Sequence, residues 1–226
     1  MSPNTWRYAL ALRLGLPLFT GTSSCPVCAR RSASPAPDLD VAGKHALLCR
    51  YEDGLNRRHN GLRDFICYRI LKPLGLVVYR EHALPRLSVG PSDLSTPMRL
   101  DLYIPADASL SAQAQGLDIT VAHPLATSHV KDASRIGGAA ATHLEDAKHR
   151  LYGPVCVANS ITLTPFGIDV FGALGRHATD FIKRLSIFSA ERRGSSPHEE
   201  EHRLYERITI ALHSLQGRMI STRQVM

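Results

Sequence analysis

Two short segments with strict alternation of apolar and polar residues constrain this chain most. One is Arg99-Leu100-Asp101-Leu102-Tyr103-Ile104 and the other Gly116-Leu117-Asp118-Ile119-Thr120-Val121-Ala122. Side chains point to opposite faces in turn along a strand, so each segment reads as a half-buried β-strand. Leu100, Leu102 and Ile104 share one face of the first, and Leu117, Ile119 and Val121 share one face of the second. Asp101 and Asp118 fall on the other face of each. The connection holds Pro105, Ser109, Ser111 and Gly116, turn formers that predict an antiparallel pair. Such a pair brings two carboxylates to one side of a sheet, the donors a hard divalent cation takes. The plainer alternative is two solvated acids on an outer face.

The chain has 226 residues, enough for a real core and for one domain with a small appendage. Hydrophobic content of 44% and charged content of 21% are ordinary for a soluble globular protein. The longest apolar stretch, residues 8–20, is interrupted by Arg13 and Pro17 and lacks a small-residue cleavage site. It is therefore read as neither a membrane span nor a signal peptide, but as a short helix or strand that packs on something, including a missing upstream domain. The net charge of +7 is unevenly placed: residues 1–100 hold 14 Lys/Arg against 7 Asp/Glu, and residues 101–226 hold 13 of each. A basic lobe beside a balanced one suits a polyanion, nucleic acid first among them. Three of the five cysteines cluster with a histidine, while Cys67 and Cys156 lie in apolar patterns. That distribution argues for a metal site in a reducing compartment rather than a disulfide framework.

Cys25-Pro26-Val27-Cys28 and His45-Ala46-Leu47-Leu48-Cys49 form two ligand pairs with sixteen residues between them. Two thiolates on a tight turn, then His and Cys one helical turn apart, give four donors for tetrahedral Zn²⁺. Four protein ligands leave no open position, so the role expected is structural. The linker 32–38 is a flexible loop that a metal clip would close. The alternatives are a redox or incidental CxxC with His45 unrelated, and His59 as a substitute ligand. Arg57, Arg58 and His59 open a helix over 61–72, carried by Leu62, Phe65, Ile66 and Ile70 and ended by Pro73 and Gly75. The basic trio can contact phosphates or form a solvated face.

Residues 76–84 read as a strand with Glu81 near its end, and 88–98 as a loop. Residues 128–138 read as loop or short helix, and 139–151 as an Ala-rich helix that sets Glu145, Lys148 and Tyr152 on one face. A Glu145–Lys148 salt bridge is the plain reading of that face. A β-branched strand is expected over 155–166, a helix over 172–188, and a final helix opening at Glu199-Glu200-Glu201, whose acids meet the helix dipole.

The order of these elements is that of the PD-(D/E)XK restriction-endonuclease-like fold. The details resemble a narrower group, the C-terminal region of non-LTR retrotransposon polyproteins that carry a restriction-like endonuclease. In that group a Cys-Cys-His-Cys zinc motif precedes the nuclease, as Cys25, Cys28, His45 and Cys49 stand here. An Arg-Pro-Asp strand follows, matched by Arg99-Leu100-Asp101 with Leu in place of Pro. A second Asp is matched by Asp118, and a helical Lys with a Tyr soon after it by Lys148 and Tyr152. The likeness covers about residues 25–188.

The resemblance implies an α/β PD-(D/E)XK core, a mixed central sheet flanked by helices, with a small N-terminal zinc-binding module. The segments implied are 1–20 (the end of an upstream domain), 21–56 (zinc module), 57–190 (endonuclease-like domain) and 191–226 (C-terminal helix and tail). Catalysis would fall to Asp101, Asp118 and Lys148, with Mg²⁺ or Mn²⁺ on Asp101, Asp118 and the Ile119 carbonyl, and Glu81 completing the shell. Arg57, Arg58, His59, Arg99 and Tyr152 would contact nucleic acid. The partners implied are DNA, or RNA, and an upstream reverse transcriptase or the parent polyprotein, with no membrane. The compartment is intracellular, and nuclear for a eukaryotic retroelement. Two departures stand out. The parent fold has Lys two residues after the second acid, where this chain has Thr120, and no reverse transcriptase signature is present. The alternative is a catalytically inactive, zinc-containing nucleic-acid-binding module or a retroelement remnant.

Overall fold

Alternation and periodicity along the chain become strands and helices at nearly the expected places. The structure, a computed structural model, describes residues 2–19, 23–31, 35–84, 98–107 and 110–223. In chain order the elements are α1 (Pro3–Arg13), β1 (Ser23–Ser24), α2 (Pro26–Arg30), β2 (Asp38–Leu39), α3 (Lys44–Leu48) and α4 (Gly54–Phe65). There follow β3 (Tyr79–Ala83), β4 (Arg99–Ile104), β5 (Ala114–Ala122), α5 (Val130–Ala133), α6 (Ala139–Ala158), β6 (Ile161–Asp169), α7 (Arg176–Arg193) and α8 (Pro197–Ser221). The expected loop at 88–98, except Met98, lies outside the described residues, as do 32–34 of the expected linker and Ser109. No helix among the described residues is long and apolar enough to cross a membrane.

The chain divides into two units, Met1–Leu62 with Val170–Gly172 and Ile208–Met226, and Arg63–Asp169 with Ala173–Arg207. In the first, Ser2 caps α1 by accepting from the Thr5 N–H at 3.2 Å, with Pro3 in the first turn, where its missing N–H costs nothing. β1 and β2 pair antiparallel, Ser23 with Leu39 and Ser24 with Asp38. The Asp40 carboxylate accepts from the backbone N–H groups of Lys44 at 2.9 Å and His45 at 2.8 Å. It thereby satisfies donors that the start of α3 would otherwise leave unpaired.

The second unit is built on a four-stranded sheet in the order β3-β4-β5-β6. β3, β4 and β5 run antiparallel in sequence, and β5 and β6 run parallel, from Ala114 beside Ile161 to Ala122 beside Asp169. The antiparallel pairing of β4 with β5 is the one the alternation predicts. Leu100, Leu102, Ile104, Leu117 and Ile119 are buried. Gly116 is required by a close approach: a Cβ there would lie 2.6 Å from a Leu100 methyl. Parallel strands need a long crossover, and α6 supplies it. This corrects the strand expected over 155–166, which begins only at Ile161. Val155 and Cys156 instead extend α6 through Pro154, packed with Leu100 and Ile161, so tertiary packing overrides β propensity. Pro165 is tolerated because β6 is an edge strand. α7 packs on β6 through the edge-to-face rings of Phe166 and Phe181, 6.3 Å apart. Among the described residues the molecule is thus mixed α/β, a mixed four-stranded sheet flanked by helices, with a Cys/His cluster near the N-terminus.

The helix expected over 61–72 continues α4 through a π-helical turn, Ile66–Leu71, and a 3-10 turn, Lys72–Leu74. It stops at Gly75, whose φ of 81° favours glycine. The final helix starts with a reciprocal capping box: the Glu199 N–H donates to Ser196 Oγ at 3.2 Å, and the Ser196 N–H to Glu199 Oε2 at 3.0 Å. Of the three acids expected to face the dipole, Glu200 is instead buried, accepting from Ser189 Oγ at 2.7 Å and Ser195 Oγ at 2.9 Å.

Candidate functional site

The β4–β5 ladder pairs Ile104 with Gln115, Tyr103 with Gly116 and Leu102 with Leu117. One step further along this register, Asp101 and Asp118 face each other. Asp101 Oδ2 accepts from the Ile119 N–H at 2.6 Å, so the first acid is tied to the strand bearing the second. Asp118 is not a solvated outer-face residue, being 4% exposed. Lys148 Nζ, reaching over from α6, lies 2.8 Å from Asp118 Oδ2. Burial works against the Lys148 charge, but the Asp118 carboxylate outweighs it and lifts the ammonium above the ordinary lysine range. Lys148 also stands over the Tyr152 ring, 5.1 Å from its centroid, one helical turn away. Burial raises the Tyr152 phenol and pushes the Cys156 thiol up to about 11.

Glu145 shares that helical face without pairing with Lys148, contrary to the plain salt-bridge reading. It is fully buried and accepts from the backbone N–H groups of Gly167, His177 and Ala178, each at 2.9 Å. It thus joins β6 to the first turn of α7, where orphan donors and the helix dipole favour a carboxylate. Gly175 makes room for it, since a Cβ there would sit 2.4 Å from the Glu145 carboxyl carbon.

Glu81 does not join the two aspartates. Arg80 pairs with Leu102 and His82 with Leu100, so Glu81 stands opposite Asp101 in the register. Like charges directly opposite on neighbouring strands repel. Glu81 adopts a left-handed φ of 54°, and its carboxylate forms an ion pair with buried Arg63. The expectation that Glu81 completes a divalent-metal shell is corrected accordingly.

Of the basic residues expected to meet nucleic acid, Arg57 is exposed and donates to the Glu52 carbonyl, His59 is half-buried, and Arg99 is exposed at the start of β4. Arg58 is a correction. It falls on the buried stripe Gly54-Arg58-Leu62 of α4, is 5% exposed, and reaches the Leu47 carbonyl at 3.4 Å. Burial pulls its pKa down to about 10. It is not available to a phosphate.

The Cys25, Cys28, His45 and Cys49 donor atoms all lie within 4.8 Å of one another. Cys28 Sγ is 3.7 Å from Cys49 Sγ and 3.3 Å from His45 Nε2. Zn–S bonds of about 2.3 Å in a tetrahedron place sulfurs about 3.8 Å apart, close to the observed thiol spacing. The group can therefore hold a metal ion, and its donors are of the type zinc takes. It is the one such group of three or more His, Cys, Asp or Glu side chains among the described residues, and it uses His45, not His59. Burial and the neighbouring thiols push Cys28 up to about 12. At Cys49 burial also raises the thiol, but the Tyr51 N–H, Cys28 and Arg223 together bring it below the ordinary value. Cys28, pressed by its neighbours, therefore resists losing its proton unless a cation joins the group.

Arg223, the Glu145 cap and the Arg63–Glu81 pair are absent from the sequence reading. None has a local signal, because each joins residues far apart in the chain. The Ser196–Glu199 box has one, S-x-x-E before an apolar run. The chain matches no protein-family model and no curated protein sequence.

Proposed function

We propose that the chain is a divalent-metal-dependent DNA endonuclease of the PD-(D/E)XK type and of retrotransposon origin. The observation that carries this reading is the contact between Lys148 and Asp118, with Asp101 at the neighbouring register position. It sets a lysine of α6 against an acid of the sheet, residue types suited to phosphodiester hydrolysis although far apart in sequence. Asp101, Asp118 and the Ile119 carbonyl would hold Mg²⁺ or Mn²⁺, which when bound neutralises charge on the scissile phosphate and makes a bound water more acidic. Lys148, protonated at neutral pH, is suited to stabilise the phosphorane or to orient the water, and not to act as a base. Tyr152 steadies its ammonium. Arg57 and His59 in one unit, and Arg99 and Tyr152 in the other, would hold the backbone, giving strongly salt-dependent binding to DNA or RNA. The Cys25/Cys28/His45/Cys49 group would carry a structural Zn²⁺. An upstream reverse transcriptase or parent polyprotein is the natural partner, and the nucleus of a eukaryotic host the natural compartment.

A second reading has its own observation. Asp118 is neutralised by Lys148, and Glu81 is taken by Arg63. The same arrangement suits a zinc-containing nucleic-acid-binding module, or a remnant, that has lost catalysis. Nicking of supercoiled plasmid with Mg²⁺ or Mn²⁺, set beside gel-shift binding, separates the two. The nuclease reading expects turnover that the double variant Asp101→Ala/Asp118→Ala abolishes while binding persists. Cleavage that survives in that variant refutes the site assignment. Binding with no cleavage at any metal concentration selects the second reading.

A further inference from the structure

Arg223 lies just past the end of α8, after Thr222, and is only 1% exposed. Its Nη1 donates to the Met219 carbonyl at 2.6 Å and to Thr222 Oγ1 at 2.9 Å. Its Nε and Nη2 are buried without a hydrogen-bond partner among the described residues. Gly54 leaves space for the guanidinium, since a Cβ there would lie 2.9 Å from Nη2. A guanidinium stays charged in a protein, and an uncompensated buried charge is expensive. No carboxylate is paired with it among the described residues; the group beside it is the Cys49 side chain.

The arithmetic of charge supplies the missing partner. A divalent ion with three thiolates and a neutral imidazole carries one net negative charge, buried with its ligands. We propose that Arg223 is the counter-charge of the Cys25/Cys28/His45/Cys49 metal site, and that metal loading and seating of the end of α8 are one coupled event. This rests on the metal reading of that group and is independent of any nuclease activity. Sixteen residues separate the two ligand pairs, yet the site is complete only when a side chain from the far end of the chain is added.

The test is zinc affinity of the full chain by competition with a chromophoric chelator. Arg223→Met, which keeps bulk and removes charge, should weaken zinc about 10- to 100-fold, the usual scale for a lost partner behind the ligands. Arg223→Lys should recover most of the loss. A native chain that binds zinc stoichiometrically while Arg223→Met binds equally tightly overturns the proposal and leaves the metal reading standing. A native chain that binds no zinc overturns both. Should Arg223→Met fail to fold, trypsin acting on the native chain decides. Cleavage after Arg223 should slow with zinc and accelerate with EDTA, relative to cleavage after Arg193. Equal rates in both conditions overturn the coupling.

Discussion

Acidification should weaken the first unit through His213, by an amount the structure allows to be worked out. His213 on α8 is 7% exposed, and its Nε2 has no hydrogen-bond partner among the described residues. Burial first, then the nearby Arg13 charge, push its pKa from 6.5 down to about 4, against a hydrogen bond with the Val170 backbone. Unfolded, the ring takes up a proton near 6.5, but folded it resists until about 4. Between those values the unfolded chain binds more protons, so stability is full above 6.5 and falls as the pH falls. The slope approaches about 1.4 kcal/mol per pH unit, or about 3 kcal/mol over the whole window. That is a large fraction of the roughly 5–15 kcal/mol of a typical domain. The assay is urea unfolding followed by the single tryptophan, Trp6, which belongs to the same unit. Native chain and His213→Gln are compared at several pH values between 7.5 and 4.5, because their difference cancels protonation of the cysteines, His45 and the carboxylates. The gap should move in favour of the glutamine variant by about 2 kcal/mol on acidification. A gap of constant size across that range refutes the argument.

The Asp118–Lys148 pair should respond asymmetrically to the removal of either partner. Lys148→Met strands a carboxylate whose side chain is 6% exposed and should cost about 3 kcal/mol, whereas Asp118→Asn leaves a lysine that is 32% exposed and can turn to water, costing about 1 kcal/mol. Thermal melts of the two variants check the order, and equal losses contradict it. Glu145→Gln keeps the shape but turns an N–H donor toward one of the three backbone donors, so a loss of about 1–3 kcal/mol in urea unfolding is expected. Co²⁺ added to the native chain should produce the intense visible bands of tetrahedral thiolate coordination. Cys28→Ser should weaken them and change their positions, and an unchanged spectrum removes Cys28 from the ligand set.

Much of the architecture could be read locally. Alternation of period two defined β4 and β5 and the buried faces of Leu100, Leu102, Leu117 and Ile119, because side-chain direction on a strand is a local property. The four donors Cys25, Cys28, His45 and Cys49 were legible for a similar reason, since each pair lies within one turn and zinc accepts few other arrangements. Helix ends at Gly75 and around the Glu-rich start of α8 followed from backbone chemistry. Where local and tertiary preferences conflicted, tertiary packing won. Val155 to Ser160 has β-branched residues and a proline close by, yet the parallel β5–β6 pair requires a long crossover, and α6 runs through to Ala158.

Which charged groups meet was decided only in three dimensions. Alone, Asp118 is an alternating polar residue that could equally be solvated, and Lys148 an ordinary neighbour of Glu145. The fold brings Lys148 to Asp118, gives Glu145 to the start of α7, withdraws Glu81 to Arg63, buries Arg58, and sets Arg223 beside the thiols. Electrostatic partners are chosen by distance through a low-dielectric interior, where an unpaired charge is penalised most heavily. Sequence spacing carries no information about that distance once the chain has turned back on itself. The strands and the ligand types were written in local order, but the ion pairs around them were settled by packing.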